Sequence, residues 1–272
     1  MNTDRLRWLA NRHSAFYILS HGWLLWRITT TELASRYAGA VLGLAWALLA
    51  PLFILSLYAA TYTMILRVQV QDLSSLQYTL FIFAGLVPFL STAEALTQGV
   101  SSVVANRTLL TNTVFPIDLA PVKAVLLSQV VMAVGMAALV LGLCVTGEVR
   151  ATVVLLPIVW LLQVFAITGV VWFLSLLNVI LRDLQMFLAV LTMTLMIASP
   201  IAYGPENVPE RLRFLLLVNP FAWFVMAYQK ILVFGEWLTP GDWLALVACS
   251  AVLFCAGGYF FSCMKKAIID HA

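Results

Sequence analysis

The sequence predicts an all-α integral membrane protein: six transmembrane helices, an amphipathic interface helix ahead of them, and a re-entrant helical hairpin between the fifth and sixth spans. Three observations lead there. Of 272 residues, 63% are hydrophobic and 10% charged, against about 45–50% and about 25% in soluble domains, so lipid must cover much of the apolar surface. Six apolar segments have the length, or nearly the length, of the ~20 helical residues that cross a bilayer. Between the last two lies "PENVPERLRFLLLVNPFAWF", whose greasy pieces are each too short to cross. Evenly spread spans make residues 1–272 one membrane domain.

The interface helix is expected at residues 22–37, "GWLLWRITTTELASRY". Trp23, Trp26, Thr30, Leu33 and Tyr37 share one helical stripe, with Arg27, Thr31 and Glu32 elsewhere and a Glu32–Arg36 pair at i,i+4. Such a helix suits the headgroup region, as a plain anchor or as a contact for a partner. The spans are read at 38–66, 78–103, 119–145, 152–177, 186–203 and 243–263. Pro51 predicts a kink or tilt in the first, and Ser199-Pro200 a break at the end of the short fifth. In the 204–238 connection, Asn219-Pro220 divides "FLLLV" from "FAWFVMAY". The second piece is apolar nearly all round, which favours a hairpin packed among helices over a loop lying on the surface.

Orientation follows Lys and Arg. With both termini cytoplasmic, the inner segments hold ten of them and the outer segments five. The first 22 residues mix charges with isolated apolar residues, so no cleavable signal peptide is expected. The short inner connections, residues 104–118 and the Arg182-Asp183 tip, offer small knobs to a partner. In the first of them, Asn106 reads as a turn or cap residue and Phe115-Pro116 as a helix stop.

Chemistry-bearing patterns are sparse. There is no phosphate-cradling G-x-x-x-x-G-K-[ST], and His13, His21 and His271 lie outside every span. Cys144, Cys249, Cys255 and Cys263 form no C-x-x-C pair and read as small buried hydrophobes. Gly39-x-x-x-Gly43 fits a weak helix-contact pattern. Glu94 is the clear ionisable residue within a span and must face protein or water. It reads as a partly hydrated wall or a helix–helix contact, with a place on a substrate path as the sharper alternative. Tyr58 with Tyr62, and Phe165 with Trp172 across Gly169, form aromatic faces that serve packing or sugar stacking.

Four stretches carry a family resemblance when taken in order. "LASRYAGAVLGLAWALLAPLFILSLYAATYTMIL" holds Ser35-Arg36-Tyr37, then Gly39, Gly43, Trp46 and Pro51. "AEALTQGVSSVVANRTLLTNTVFPIDLAPV" holds Asn106, Leu110, Phe115-Pro116 and Pro121. "LRDLQMFLAVLTMTLMIASPIAYGPENVP" and "VNPFAWFVMAYQKIL" hold an Arg-Asp loop, a Ser-Pro end and an Asn-Pro hairpin. Together they resemble the membrane subunits of type-2 ABC exporters of polysaccharides, the permeases for O-antigen, capsule and teichoic acid. Two departures stand out: Gln229-Lys230 where that family often has Arg after the tyrosine, and fewer lysines before Phe115.

The resemblance implies a permease that pairs with a second copy and with two copies of a cytoplasmic ABC ATPase in a bacterial inner membrane. Its cargo would be a lipid-linked polysaccharide. ATP and Mg would belong to the ATPase, with no cofactor or metal bound by this chain and no nucleic-acid partner. Contacts with the ATPase would involve Arg27, Glu32, Arg36, Asn106, Arg107, Phe115, Pro116, Arg182 and Asp183. The conduit would draw on Tyr58, Tyr62, Glu94, Phe165 and Trp172, and the outer gate on Pro200, Asn219, Pro220, Trp223 and Tyr228. Exporters of drugs or other lipids are the neighbouring alternative. A membrane enzyme on lipid-linked sugars would need a paired acid and base, and the sequence offers none.

Overall fold

A computed structural model describes residues 22–65, 73–106 and 117–270 of the chain. It is an all-α membrane bundle. The helices are α1 (Gly22–Arg36), α2 (Trp46–Ala60), α3 (Ser75–Ala105), α4 (Leu119–Thr146), α5 (Leu156–Ile180), α6 (Leu184–Ala198), α7 (Arg213–Val218), α8 (Pro220–Gln229) and α9 (Pro240–Asp270).

Local chemistry sets many of the boundaries. Ser74 opens α3 with a capping box: its hydroxyl accepts from the Gln77 N–H, and the Gln77 side chain accepts from the Ser74 N–H at 2.9 Å. Gly147 closes α4 in the left-handed region (φ 72°), with the Glu148 N–H reaching back to the Leu143 carbonyl. Asn219 caps α8 by accepting from the Phe221 N–H at 3.1 Å, and Pro220 fills the first helical position, where no N–H is needed.

The apolar core is stacked in three layers along the bundle. At the near end Leu25 of α1 meets Val103, Leu119, Val122, Trp172 and Phe261. The middle layer joins Ala95, Leu96, Val125, Ile167, Val171 and Phe221. The far half holds Tyr78, Phe81, Val87, Met136, Tyr228, Ile231 and Leu246 among others. α3 runs through all three layers. Its most apolar stretch is 72% buried, against 17% for the first span, so α3 is the central post and α2 is peripheral.

α5 and α9 approach most closely through glycine. A Cβ on Gly169 would lie 2.1 Å from the Leu253 carbonyl oxygen, and one on Gly257 would lie 2.0 Å from the Gly169 carbonyl oxygen. The expected contact at Gly39 and Gly43 does not form. Both residues have positive φ (82° and 49°), and a Cβ at either would meet nothing within 4 Å. They shape the turn between α1 and the first span instead.

Other expectations are corrected as well. The first span is a composite of a 3-10 turn, α2 and a π-helical turn ending at Ile65, with Pro51 buried inside α2. The fifth ends at Ala198, and its last residues are a run of bends outside the helix, because Ser199-Pro200 stops it. On α1 the packed face is Leu25 and Thr29, while Trp23 and Trp26 are exposed. Cys144, Cys255 and Cys263 point outward from the bundle rather than into it. In a bilayer they would face lipid, which suits an apolar thiol equally well.

α7 and α8 belong to a helix pair bent by 98° at Asn219. The chain enters this pair from the far end, where the Tyr78 hydroxyl donates to the Ala202 carbonyl at 2.9 Å. It reaches the middle layer at Phe221 and returns along α8 to Gly235, which rests against Arg150 beside the start of α5. A bend of this size belongs to a broken span or to the re-entrant hairpin expected from the sequence, and its corner lies at the middle apolar layer.

Two outcomes test this packing. Gly169→Ala should lower the thermal unfolding midpoint in detergent by an amount matching about 1–3 kcal/mol of overpacking, while Gly142→Ala, which meets only the tip of Leu80, should change it little. Single cysteines at Glu210 and Glu236 should react with a membrane-impermeant maleimide from the same side; labelling from opposite sides would mean that the pair traverses.

Candidate functional site

Polar side chains collect in two places, one at each end of α3. At the near end, Arg36 extends from the last turn of α1 to α3. Its Nη1 donates to Glu94 Oε1 at 2.8 Å and its Nη2 donates to Gln98 Oε1. Gln98 Nε2 closes the triangle by donating to Glu94 Oε1 at 2.7 Å. One turn earlier on α1, Glu32 accepts from Lys123 of α4 at 2.5 Å. The expected Glu32–Arg36 pair within the helix is thus replaced by two ties to different spans. A tertiary partner in a partly dry setting outweighs the few tenths of a kcal/mol that an exposed i,i+4 pair offers.

A third ion pair lies beneath these. Lys265 of α9 donates to Asp118, at the start of α4, at 2.9 Å, with 1% and 6% of the two side chains exposed. Trp172 Nε1 donates to the Asp118 carbonyl at 3.2 Å. Removing either charge would strand the other in a low-dielectric site, at a cost of about 3–5 kcal/mol.

The second collection seats the hairpin. Extended backbone within a bilayer exposes carbonyls that lipid cannot satisfy. After α6 they are met from inside: Gln229 Nε2 donates to the carbonyls of Pro200 (2.9 Å) and Ile201 (3.3 Å), and Tyr78 covers that of Ala202. Asn219 Nδ2 donates to Ser199 Oγ at 2.9 Å. Gly85 of α3 lies opposite, where a Cβ would sit 2.9 Å from Gln229 Nε2 and 3.2 Å from Ile201 Cα. Deeper in, the Tyr228 hydroxyl donates to Gln163 Oε1 at 2.7 Å, and Gln163 Nε2 donates to Thr92 Oγ1 and the Pro88 carbonyl, both at 3.0 Å.

The residues singled out from the sequence fall into these groups unevenly. Arg36 and Glu94, expected in different roles, are bound to each other. Arg27 is exposed, its guanidinium 4.9 Å above the Trp23 ring. Asn106 caps the end of α3 by donating to the Ser102 carbonyl, and Arg182-Asp183 form an exposed turn between α5 and α6. Arg107, Phe115 and Pro116 lie outside the described residues.

Among the aromatics, Phe165 and Trp172 both pack on Phe254 of α9, at 5.1 Å and 5.2 Å between ring centroids. Trp172 is fully buried, so its ring meets neither water nor lipid. Tyr58 and Tyr62 stack at 6.3 Å and stay partly exposed, and the Tyr58 hydroxyl contacts Met196 Sδ of α6. At the hairpin Pro200, Asn219 and Tyr228 are buried. Trp223 ties the two limbs together by donating to the Leu216 carbonyl. Among the described residues no three of His, Cys, Asp or Glu gather as metal ligands would.

Sequence reasoning passed over Gln163 and Asp118, counted Lys123 for orientation alone, and met Gln229 only as a departure from the family pattern. A lone amide in "IVWLLQVFAITG" and a lysine in "LAPVKAVLL" were the available signals, since such groups in apolar runs need internal partners.

The comparisons with known proteins fit this architecture. Residues 24–233 match the ABC-2 type transporter family. Two proteins of Klebsiella pneumoniae, each named O-antigen export system permease protein RfbA, are 28% identical over 214 residues, covering 78% of this chain and 81% of theirs. A protein of the same name from Myxococcus xanthus is 29% identical over 247 residues, 89% of this chain and 93% of its own. The family match runs from the interface helix through the hairpin, and this multi-pass membrane chain belongs to the ABC-2 type transporter family.

Proposed function

We propose that the chain is the transmembrane subunit of an ATP-driven exporter, moving a lipid-linked polysaccharide of the O-antigen or capsular kind outward across a bacterial inner membrane. The observation that carries this reading is the similarity, over 78–89% of the chain, to three proteins named as O-antigen export permeases. The near end, with α1 and the Arg182-Asp183 turn, faces the cytoplasm and a separate ATPase that binds ATP and Mg. The far end, with the mouth of the hairpin, faces outward.

Two copies enclose the conduit. One bundle is filled by three apolar layers, which leaves a hydrated polymer no way through its interior. The flank of α2 and α6 is the reading's best-supported conduit wall. It carries the partly exposed Tyr58–Tyr62 stack and little intramolecular packing. Aromatic faces of this kind take the apolar face of a sugar ring. Phe165 and Trp172 act instead as packing between α5 and α9, and the hairpin residues hold the gate in position.

Reconstituted with its ATPase, the chain should raise ATP hydrolysis when a polyprenyl-diphosphate oligosaccharide is supplied. A purified chain that binds no ATPase in any detergent or lipid would defeat the exporter reading. Within the 104–118 segment, Arg107→Glu should lower glycan export by about tenfold, the scale of a typical coupling free energy, with membrane insertion unchanged. Undiminished export would remove that segment from the ATPase contact.

A further inference from the structure

Among the described residues there are four ion pairs, and three of them lie at the near end of the bundle. They join the elements in a particular pattern. Arg36 ties α1 to α3, Glu32 ties α1 to α4, and Asp118–Lys265 ties the start of α4 to the end of α9. No ion pair among the described residues reaches α2 or α6. Charge therefore fastens α1 to the central helices and leaves the two peripheral spans outside the arrangement.

We propose that Arg36 and Glu94 are positioning residues for transport: they act inside the subunit, as a clamp that makes α1 and α3 move together. This rests on the exporter reading and revises the role that the sequence resemblance implied for Arg36, from a contact with the ATPase to a group that passes the ATPase's movement on. The geometry supports a clamp. A guanidinium fork engaged on two acceptors, with those acceptors bonded to each other, fixes orientation as well as distance. The clamp is partly shielded, since 30% of the Arg36 side chain and 21% of the Glu94 side chain are exposed. A protein partner reaching Arg36 would have to displace a carboxylate already paired.

α3 is the element through which such a clamp has reach. Glu94 lies nine residues from Gly85, about 13 Å along a helix, and Gly85 is where α3 meets Gln229 and the break after α6. Between them Pro88 and Thr92 of α3 hold Gln163, which holds Tyr228 of the hairpin. A displacement of α1 thus arrives at the hairpin through one continuous helix and a chain of buried hydrogen bonds. What supports this route is that its elements are directly bonded to one another and that α3 stays helical from Gly85 through Pro88 to Glu94.

The test is a charge swap in the full chain, reconstituted with its ATPase and supplied with a polyprenyl-diphosphate oligosaccharide. Three quantities are read: ATPase bound per permease, ATP hydrolysed, and oligosaccharide moved per ATP. Arg36→Glu and Glu94→Arg, each alone, should leave ATPase binding intact and lower oligosaccharide moved per ATP by about tenfold. The double exchange R36E/E94R should restore most of it. Should Arg36→Glu fail to insert, Glu94→Gln removes the counter-charge while keeping an acceptor, and the same loss is expected. Loss of ATPase binding in the Arg36 variant would overturn the proposal by placing Arg36 on the partner. Normal transport per ATP in the single variants, or no recovery in the exchange, would overturn it too. A wild-type chain that binds no ATPase would instead count against the exporter reading itself.

Discussion

The structure depends on one constraint: backbone that leaves the helical state inside a bilayer must find its hydrogen-bond partners within the protein. The chain breaks after Ala198 and again at Asn219, and both breaks lie among packed helices. Their polar groups are met by Gln229, Tyr78, Asn219 and Ser199, all of them buried. Much else follows from that. Gly85 is small because Gln229 and Ile201 press on it, and α3 is central because it supplies both Gly85 and Tyr78. The chain can bend at the middle apolar layer because Asn219 and Pro220 start a helix there without leaving an orphan donor.

The ionic groups obey a related rule. Coulomb attraction between exposed charges is weak, and the near-end pairs are not simply exposed. Lys123 and Lys265 are buried, as is Asp118. Burying such pairs brings little net stability compared with apolar residues of the same shape, and breaking them is costly. Their contribution is to discriminate: an arrangement in which α1 or α9 slid by one turn would leave charges unmatched. The bundle's apolar layers would tolerate such a slip far more readily, because leucine and valine contacts are interchangeable.

Parts of this arrangement are legible in the sequence because their signals are local. Span positions follow from run length, and the hairpin from two short greasy pieces around Asn219-Pro220. The turn at Arg182-Asp183 is readable for the same reason. What was not legible depends on which distant residues meet. Gly39 and Gly43 carry a helix-contact spacing, yet positive φ places them in the turn that leads into the first span, while Gly169 and Gly257, 88 positions apart in sequence numbering, make the close contact. Glu94 announces that it needs a partner and gives no sign that the partner is Arg36. Trp172 shares a helical face with Phe165, and only the position of α9 shows that Trp172 is sealed while Phe165 stays exposed.

α6 has a consequence for the membrane itself. Its 15 residues rise about 22 Å, short of the ~30 Å hydrocarbon thickness. The non-helical chain beyond Ala198 turns inward to Tyr78 and Gln229, so it does not lengthen the helical wall. Acyl chains beside that helix must then compress or tilt to meet it, at a fraction of a kcal/mol per Å of mismatch. The helical wall along α6 is shorter than that along α3, α4, α5 or α9, so a polar headgroup passing on this flank would have less apolar wall to cross.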